Sequence, residues 1–438
     1  MNIIKINFIQ KKLEEWRIFM KVTGLITEYN PFHNGHLYHI QKSKEYTDAD
    51  YIIVVMSGDY VQRGTPAVID KYLRAQMALE AGADLVLLLP VAYSCASAEY
   101  FAIGAVSLLD KLGIVNSICF GSESGNLTTL FQIASYLAEE SLEFKENLKH
   151  FLKMGFSYPS ARNKALLSSK EFSITSFPSS KEPKELSNLL SEPNNILGIE
   201  YIKALLKRNS SMIPVTIPRA VSHYHDTILK EKFSSASAIR LLLKQTESFP
   251  ATIAQAVPFS IFSLYQKYYH KTYPIIEDDF SLPLYYQLLK EDSFSLTEYQ
   301  DLSSDLSKRI FHELDHFHSF SSFTEHIKTK QYTQTRISRC LLHILLQLKT
   351  QDYTAFDYIP YARILGFKKD SAPLLSAIKS HANIPVFTKM AKAENQLQES
   401  GKKMLKQELF ASNLYRKVQE QKFHISLPHE YSRKLLIK

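Results

Sequence analysis

A doubly wound α/β domain followed by a mainly α-helical C-terminal domain is the fold class this sequence predicts. Three observations predict it. Short apolar runs alternate with amphipathic stretches from Met20 to about Ala204, a Pro/Gly-marked turn directly follows the first run, and helical patterning dominates from about Ala238 onward. Val22–Ile26, Tyr51–Met56, Leu85–Leu89 and Ser117–Phe120 are bounded by Gly, Pro, Asp or Ser and read as buried parallel strands. Helices are expected around His36–Tyr46, Asp70–Ala81 and Ala98–Leu112. Residues 164–195 are rich in Ser, Lys, Glu and Pro and are expected to form a mobile excursion, a candidate lid. Apolar periodicity returns in Ile196–Leu206, and Ile213–Ile217 is the expected last strand. The rest reads as helical, without strands until the tail. In such a sheet, ligands sit at the carboxyl ends of the strands.

Composition narrows the class. At 438 residues and 45% hydrophobic content, the chain can build two or three cored domains, which argues against disorder. Three cysteines, Cys95, Cys119 and Cys340, share no metal-type spacing and cannot all pair, so buried thiols in a cytoplasmic protein are expected. The apolar run Leu85–Cys95 contains Pro90 and falls far short of the roughly 20 residues that span a bilayer. Lys11, Lys12, Glu14, Glu15 and Arg17 interrupt any signal-type apolar stretch, and residues 1–19 read as a start-site extension ahead of Met20. The expected division is therefore 1–19, a ligand-binding domain over 20–240 and a helical domain over 241–438. A net charge of +8 suits a polyanionic partner without proving one.

The densest chemistry lies in Glu28-Tyr29-Asn30-Pro31-Phe32-His33-Asn34-Gly35-His36, which follows the first strand and opens the first helix. A strand-to-helix turn offers free amides and the positive end of a helix dipole to a phosphate. His33 and His36 can donate to phosphate oxygens as charge builds at phosphorus, and Gly35 admits close approach. As ordinary polar loop residues the two histidines would lack that context; as metal ligands they lack a Glu in an H-E-x-x-H arrangement. Ser57–Gly64 forms a second loop at the same sheet edge, where Gln62 and Arg63 can face a phosphate or carboxylate. Asp70 suits capping and catalysis equally, with Lys71 beside it. Gly121 ends a strand, where bare backbone can pass beneath a nucleoside. No cysteine has an activating neighbour in sequence, so no covalent enzyme nucleophile is expected.

These residues resemble the H-x-G-H motif of the nucleotidyltransferase superfamily, which includes class I aminoacyl-tRNA synthetases and pantetheine-phosphate adenylyltransferases. More closely, the chain resembles the tRNA(Met) cytidine acetate ligase family from Met20 nearly to its end. The resemblance rests on Gly24–His39, Ser57–Gly64, Asp70-Lys71, Phe120–Glu123, Pro193–Tyr201 and Ser235-Ala236-Ser237-Ala238-Ile239-Arg240. It implies a Rossmann-like, HUP-type domain with His33, His36, Asp70 and Lys71 as catalytic residues. ATP is implied to contact Ile26-Thr27-Glu28-Tyr29-Asn30-Pro31-Phe32-His33-Asn34-Gly35-His36-Leu37-Tyr38-His39, Gly121, Asn195, Arg219, Ser235, Ser237 and Arg240. In the last motif Ala236 and Ser237 occupy the usual threonine-type positions. The implied reaction joins acetate to AMP and passes the acetyl group to the wobble cytidine of elongator tRNA(Met). Mg²⁺ is expected to accompany ATP, with no resident metal, no membrane and no stable protein partner. Arg336, Arg339, Lys368 and Lys369 are candidate RNA contacts, with Arg363, Lys402-Lys403 and Arg416-Lys417 as further phosphate candidates and Tyr332, Tyr353, Tyr358 and Tyr361 as stacking candidates. The alternatives are a small-molecule adenylyltransferase, an acetate ligase acting on a protein prosthetic group, and a non-catalytic RNA-binding protein.

Overall fold

Unbroken apolar runs that pack on both faces make the centre of the molecule a parallel sheet. The structure, a computed structural model, describes residues 20–170, 172, 183–219, 235–351 and 359–438. The candidate extension 1–19, the centre of the Ser-rich excursion at 173–182, and Tyr353 and Tyr358 lie outside the described residues. In chain order β1 (Val22–Thr27) is followed by α1 (Asn34–Thr47), β2 (Tyr51–Ser57), the two-residue strands β3 (Tyr60–Val61) and β4 (Thr65–Pro66), and α2 (Lys71–Glu80). Next come β5 (Leu85–Leu89), α3 (Val91–Ser94), α4 (Ala98–Lys111) and β6 (Ser117–Ser122). Three helices, α5 (Leu127–Glu139), α6 (Leu142–Lys153) and α7 (Tyr158–Ser168), precede α8 (Pro183–Leu189), α9 (Pro193–Lys207) and β7 (Ile213–Pro218).

The strand order β5-β2-β1-β6-β7 is parallel throughout, and the order reverses at β1, which places a ligand crevice at the carboxyl ends of β1 and β6. Alternate residues bury opposite faces. Ile53, Val55, Leu85 and Leu87 pack with α4 and α9, whereas Ile52, Val54, Met56 and Val86 pack with α1 and α2.

The expectation of no strand between Ala238 and the tail fails at two places, Ala362–Phe367 and Val386–Phe387. After α10 (Ala236–Gln245), α11 (Ile253–Ala256), α12 (Phe259–Tyr268), α13 (Ser281–Leu288), α14 (Ser304–His312), α15 (Phe320–His326) and α16 (Gln334–Leu346), residues Ala362–Phe367 form β8. It adds to the sheet antiparallel to β5. Then follow α17 (Ala372–His381), β9 (Val386–Phe387), the long α18 (Glu399–Phe423) and β10 (Leu436–Ile437), with β9 and β10 both paired to β8. Sheet therefore crosses the expected division at 240/241. Arg363 disguised β8 as a surface segment; it is 4% exposed, and its charge is met by Glu430 at 2.6 Å. A separate apolar core of α13–α16 with part of α18 holds the helical half together.

Among the described residues no helix is long and apolar enough to cross a membrane. The three cysteines are buried and unpaired. Burial pushes the Cys119 and Cys340 thiols up to about 11 and about 12, which suits inert core thiols.

Candidate active site

The H-x-G-H segment builds its own geometry. His33 is the N-cap of α1, in extended conformation, and its Nδ1 accepts from Gly35 N at 3.0 Å. His36 closes a reciprocal box by accepting from His33 N at 3.2 Å through its own Nδ1. A Cβ at Gly35 would meet the His33 ring at 2.8 Å, so this glycine makes room for the imidazole. The rings stack with centroids 3.7 Å apart. Because both Nδ1 atoms accept backbone protons, the neutral rings carry their own protons on Nε2.

Both histidines are held neutral. Burial, reinforced by Arg219 and Arg240, lowers His33 to about 3. Burial and the neighbouring His33 and Arg219 depress His36 in the same direction. His39 falls to about 4 through burial and Arg219, and its buried Nε2 has no hydrogen-bond partner among the described residues. Unfolded histidines take up a proton below about 6.5 and these folded ones do not, so stability present at neutral pH is lost as pH falls from about 6.5 toward 4. His33→Asn keeps a capping side chain and should flatten this fall by about 1.4 kcal/mol per pH unit. Urea midpoints measured between those pH values check it.

The segment is clamped from behind. Arg74, fully buried, donates Nε to Ile69 O at 2.8 Å and Nη1 to Ser57 O at 3.1 Å and Glu28 O at 2.5 Å, with Nη2 bonded to Gly58 O. One guanidinium thus fixes the carboxyl ends of β1 and β2. Asn30 accepts from Val68 N at 2.8 Å, and Tyr265 of α12 donates to Phe32 O at 2.5 Å.

These elements enclose a cavity of about 730 Å³, lined by residues of both halves of the chain. All of Ile26–His39 line it except Pro31, Phe32, Asn34 and Leu37. Phe32 instead packs in the core, and Asn34 donates to Gln255 O at 2.9 Å. Gly121, Arg219, Ser235, Ser237 and Arg240 also line the cavity. Arg240 donates to Asn30 O at 2.5 Å and to Ser237 Oγ at 2.9 Å, and Ser235 caps α10 by accepting from Ala238 N. Among the described residues six arginines against four carboxylates make the lining electropositive.

Other expected residues lie elsewhere. Asn195 is buried behind the wall, accepting from Ser124 N and donating to Leu189 O. Glu123 receives the Asn194 and Asn195 backbone N–H groups, so the Phe120–Glu123 and Pro193–Tyr201 segments interlock. Asp70 and Lys71 do not line the cavity. Asp70 caps α2 through Tyr72 N and Leu73 N, the structural half of its two expected roles. Lys71, 1% exposed, reaches Asp59 at 2.5 Å, Ser412 at 2.8 Å and Glu430 at 3.1 Å. It ties the parallel-sheet half to the C-terminal segment.

Arg336 and Arg339, expected to meet RNA, line the same cavity; Arg339 pairs with Asp301 at 3.1 Å. Their helix α16 sits against Gly64, which has φ +78° and a Cβ position that would collide with the Arg339 backbone. Lys368 and Lys369 follow β8, whose Phe367 pairs with Leu85 at the start of β5, so they occupy the opposite end of the sheet from His33. Buried Arg363 and Tyr361 cannot meet RNA, and Tyr332 is buried against Ser303. Arg416 and Lys417 both pair with Glu420.

One wall was not foreseen. Glu200, 3% exposed, pairs with Arg162 at 2.6 Å and Lys203 at 2.7 Å, and Lys203 also reaches Glu99 at 2.8 Å. Arg162 and Glu200 lie 38 residues apart, a separation that carries no local pattern. Only the Glu200-Tyr201 end of the Pro193–Tyr201 segment pointed there.

Residues 20–427 match the family described as HIGH Nucleotidyl Transferase. A tRNA(Met) cytidine acetate ligase from Clostridium tetani is 42% identical over 381 residues, covering 85% of this chain and 91% of that protein. Another from Acetivibrio thermocellus is 40% identical over 402 residues, covering 90% and 94%. Thermotoga maritima TmcAL in its apo form superposes with a TM-score of 0.88 at 32% identity, covering 95% of this chain and 99% of that one. The same protein bound with alpha-thio ATP gives a TM-score of 0.86 at 31% identity, with the same coverage.

Proposed function

The chain belongs to the tRNA(Met) cytidine acetate ligase family of HIGH nucleotidyl transferases, and from that premise we propose the reaction its cavity carries out. ATP lies with its phosphates against the amino end of α1 and its nucleoside toward Gly121. An acetate oxygen attacks the α-phosphorus in line and pyrophosphate leaves, giving acetyladenylate. The N4 amine of the wobble cytidine in elongator tRNA(Met) then attacks the acetyl carbonyl; AMP leaves, the amine loses a proton, and N4-acetylcytidine remains.

One observation carries this reading: two stacked, neutral imidazoles whose Nδ1 atoms are occupied and whose Nε2–H groups remain to donate at the phosphate end of the cavity. Such donors need no reorganisation as charge develops. Arg219 and Arg240 add fixed positive charge, and Gln62 and Arg63 lie on the lining where a small carboxylate can be received. Mg²⁺ is proposed to ride on the phosphates. Of the lining carboxylates, Glu99, Glu200 and Asp301 face Lys or Arg, and Glu28 accepts from Gln62 N, a donor set that suits an ion held chiefly by phosphate oxygens and water.

Incubation with ATP, radiolabelled acetate and elongator tRNA(Met), followed by nucleoside analysis, tests the whole sequence. Label recovered as N4-acetylcytidine supports it; acetyladenylate formation with no label in tRNA would move the acceptor to a protein prosthetic group or a small molecule. For RNA docking, the cavity position of Arg336 leads to a ranking. Arg336→Glu should weaken tRNA binding at low salt at least tenfold, and more than joint reversal of Lys368 and Lys369, as measured by filter binding.

A further inference from the structure

The string H-E-x-x-H, missing around His33, occurs at His312-Glu313-Leu314-Asp315-His316 in the helical half. On a continuous helix it would put both histidines on one face with the glutamate free as a base. Here α14 ends at His312, Glu313 is its C-cap, and Leu314–His316 form a 3₁₀ turn, so the two histidines are not placed as such a pair. The chain then reverses into α15, which ends at His326.

That reversal gathers a different trio. His326 Nε2 lies 2.6 Å from Glu313 Oε2, the His316 and His326 ring centroids are 5.0 Å apart, and one donor atom from each of the three residues lies within 4.8 Å of the others. His316 and His326 are exposed and Glu313 half-buried. The backbone beneath them is fixed: Arg309 donates Nε to Ile327 O at 2.8 Å and Nη2 to His326 O at 3.3 Å, while Ile310, Phe320, Phe323 and Ile327 are buried in the core below. None of the three residues lines the ATP cavity.

We infer that Glu313, His316 and His326 form a zinc site that fastens the end of α14 to the end of α15, independent of the reaction proposed above. Two imidazoles and a single carboxylate suit Zn²⁺ and its transition-metal neighbours; Mg²⁺ and Ca²⁺ demand more oxygen donors. Tetrahedral bonds near 2 Å place donor atoms about 3.3 Å apart, between the 2.6 Å of the His326–Glu313 pair and the 4.8 Å that bounds the trio, and both histidines are exposed side chains. Glu313 serves as a ligand here and is not free as a base, and with three protein ligands the fourth position of the tetrahedron falls to water.

The full chain, stripped with chelator and dialysed, is titrated with ZnCl₂ against a chromogenic chelator. One zinc per chain is expected, weakened at least tenfold in His316→Ala, in His326→Ala and in Glu313→Gln, and unchanged in His312→Ala. Failure of the parent to bind zinc, or equal binding by parent and the His316→Ala/His326→Ala double variant, would overturn the assignment. Co²⁺ titration of the parent supplies a readout that needs no variant: an intense visible band marks tetrahedral coordination, and the weak spectrum of the aquo ion would overturn it.

Discussion

His36→Ala is expected to cut ATP–pyrophosphate exchange by about a hundredfold or more while leaving tRNA affinity nearly unchanged. Loss of one preorganised donor at developing charge costs about 10²–10³ in rate. The variant also opens the reciprocal box at the start of α1, a stability cost of about 1 kcal/mol that a thermal melt reads separately. His36→Asn, which retains a short polar side chain, separates the two effects: restored stability without restored exchange assigns the loss to the Nε2–H donor. Equal exchange by His36→Ala and the parent would remove His36 from the chemistry.

Lys71→Met should have the largest effect on stability. It leaves Asp59 without its cation, and Glu430 with Arg363 alone, in a site where Lys71 is 1% exposed, and unpartnered buried charge costs about 3–5 kcal/mol. Because Lys71 lies outside the cavity lining, exchange per folded molecule should survive. A variant as stable as the parent but without exchange would return Lys71 to catalysis. The same cluster sets a pH dependence. Burial alone would raise the Glu430 carboxyl, but attraction to Lys71 and Arg363 and their hydrogen bonds outweigh burial and hold it well below the ordinary carboxylate range. A folded value below the unfolded one means the stabilisation is present above about 4.3 and is lost as pH falls below it. The stability gap between the parent and Glu430→Gln should therefore narrow on acidification below that point, as urea midpoints will show.

The sheet and its motif were legible because their signals are local. Leu85–Leu89 is apolar without interruption, Ser57 and Pro90 punctuate strand ends, and the strand, the Pro-Phe turn and His33–His36 follow one another directly. What escaped the sequence depends on distant pairing. β8 carries a charge that its pairing with Glu430, 67 residues later, and its bond to the Tyr72 hydroxyl make tolerable inside a sheet. Lys71 beside a helix cap resembles a catalytic lysine until Ser412 and Glu430 arrive from the other end of the chain. Arg336 and Arg339 read as surface cations, yet α16 packs against Gly64 and brings them to the cavity. Arg74 gave no signal at all, since its acceptors are backbone carbonyls.

The most direct test of adenylation by this cavity is ATP–pyrophosphate exchange by the purified chain with acetate, with other short carboxylates, and with no added acid. Exchange that requires acetate is the predicted result. Measurable ATP binding with no exchange for any acid would contradict the account.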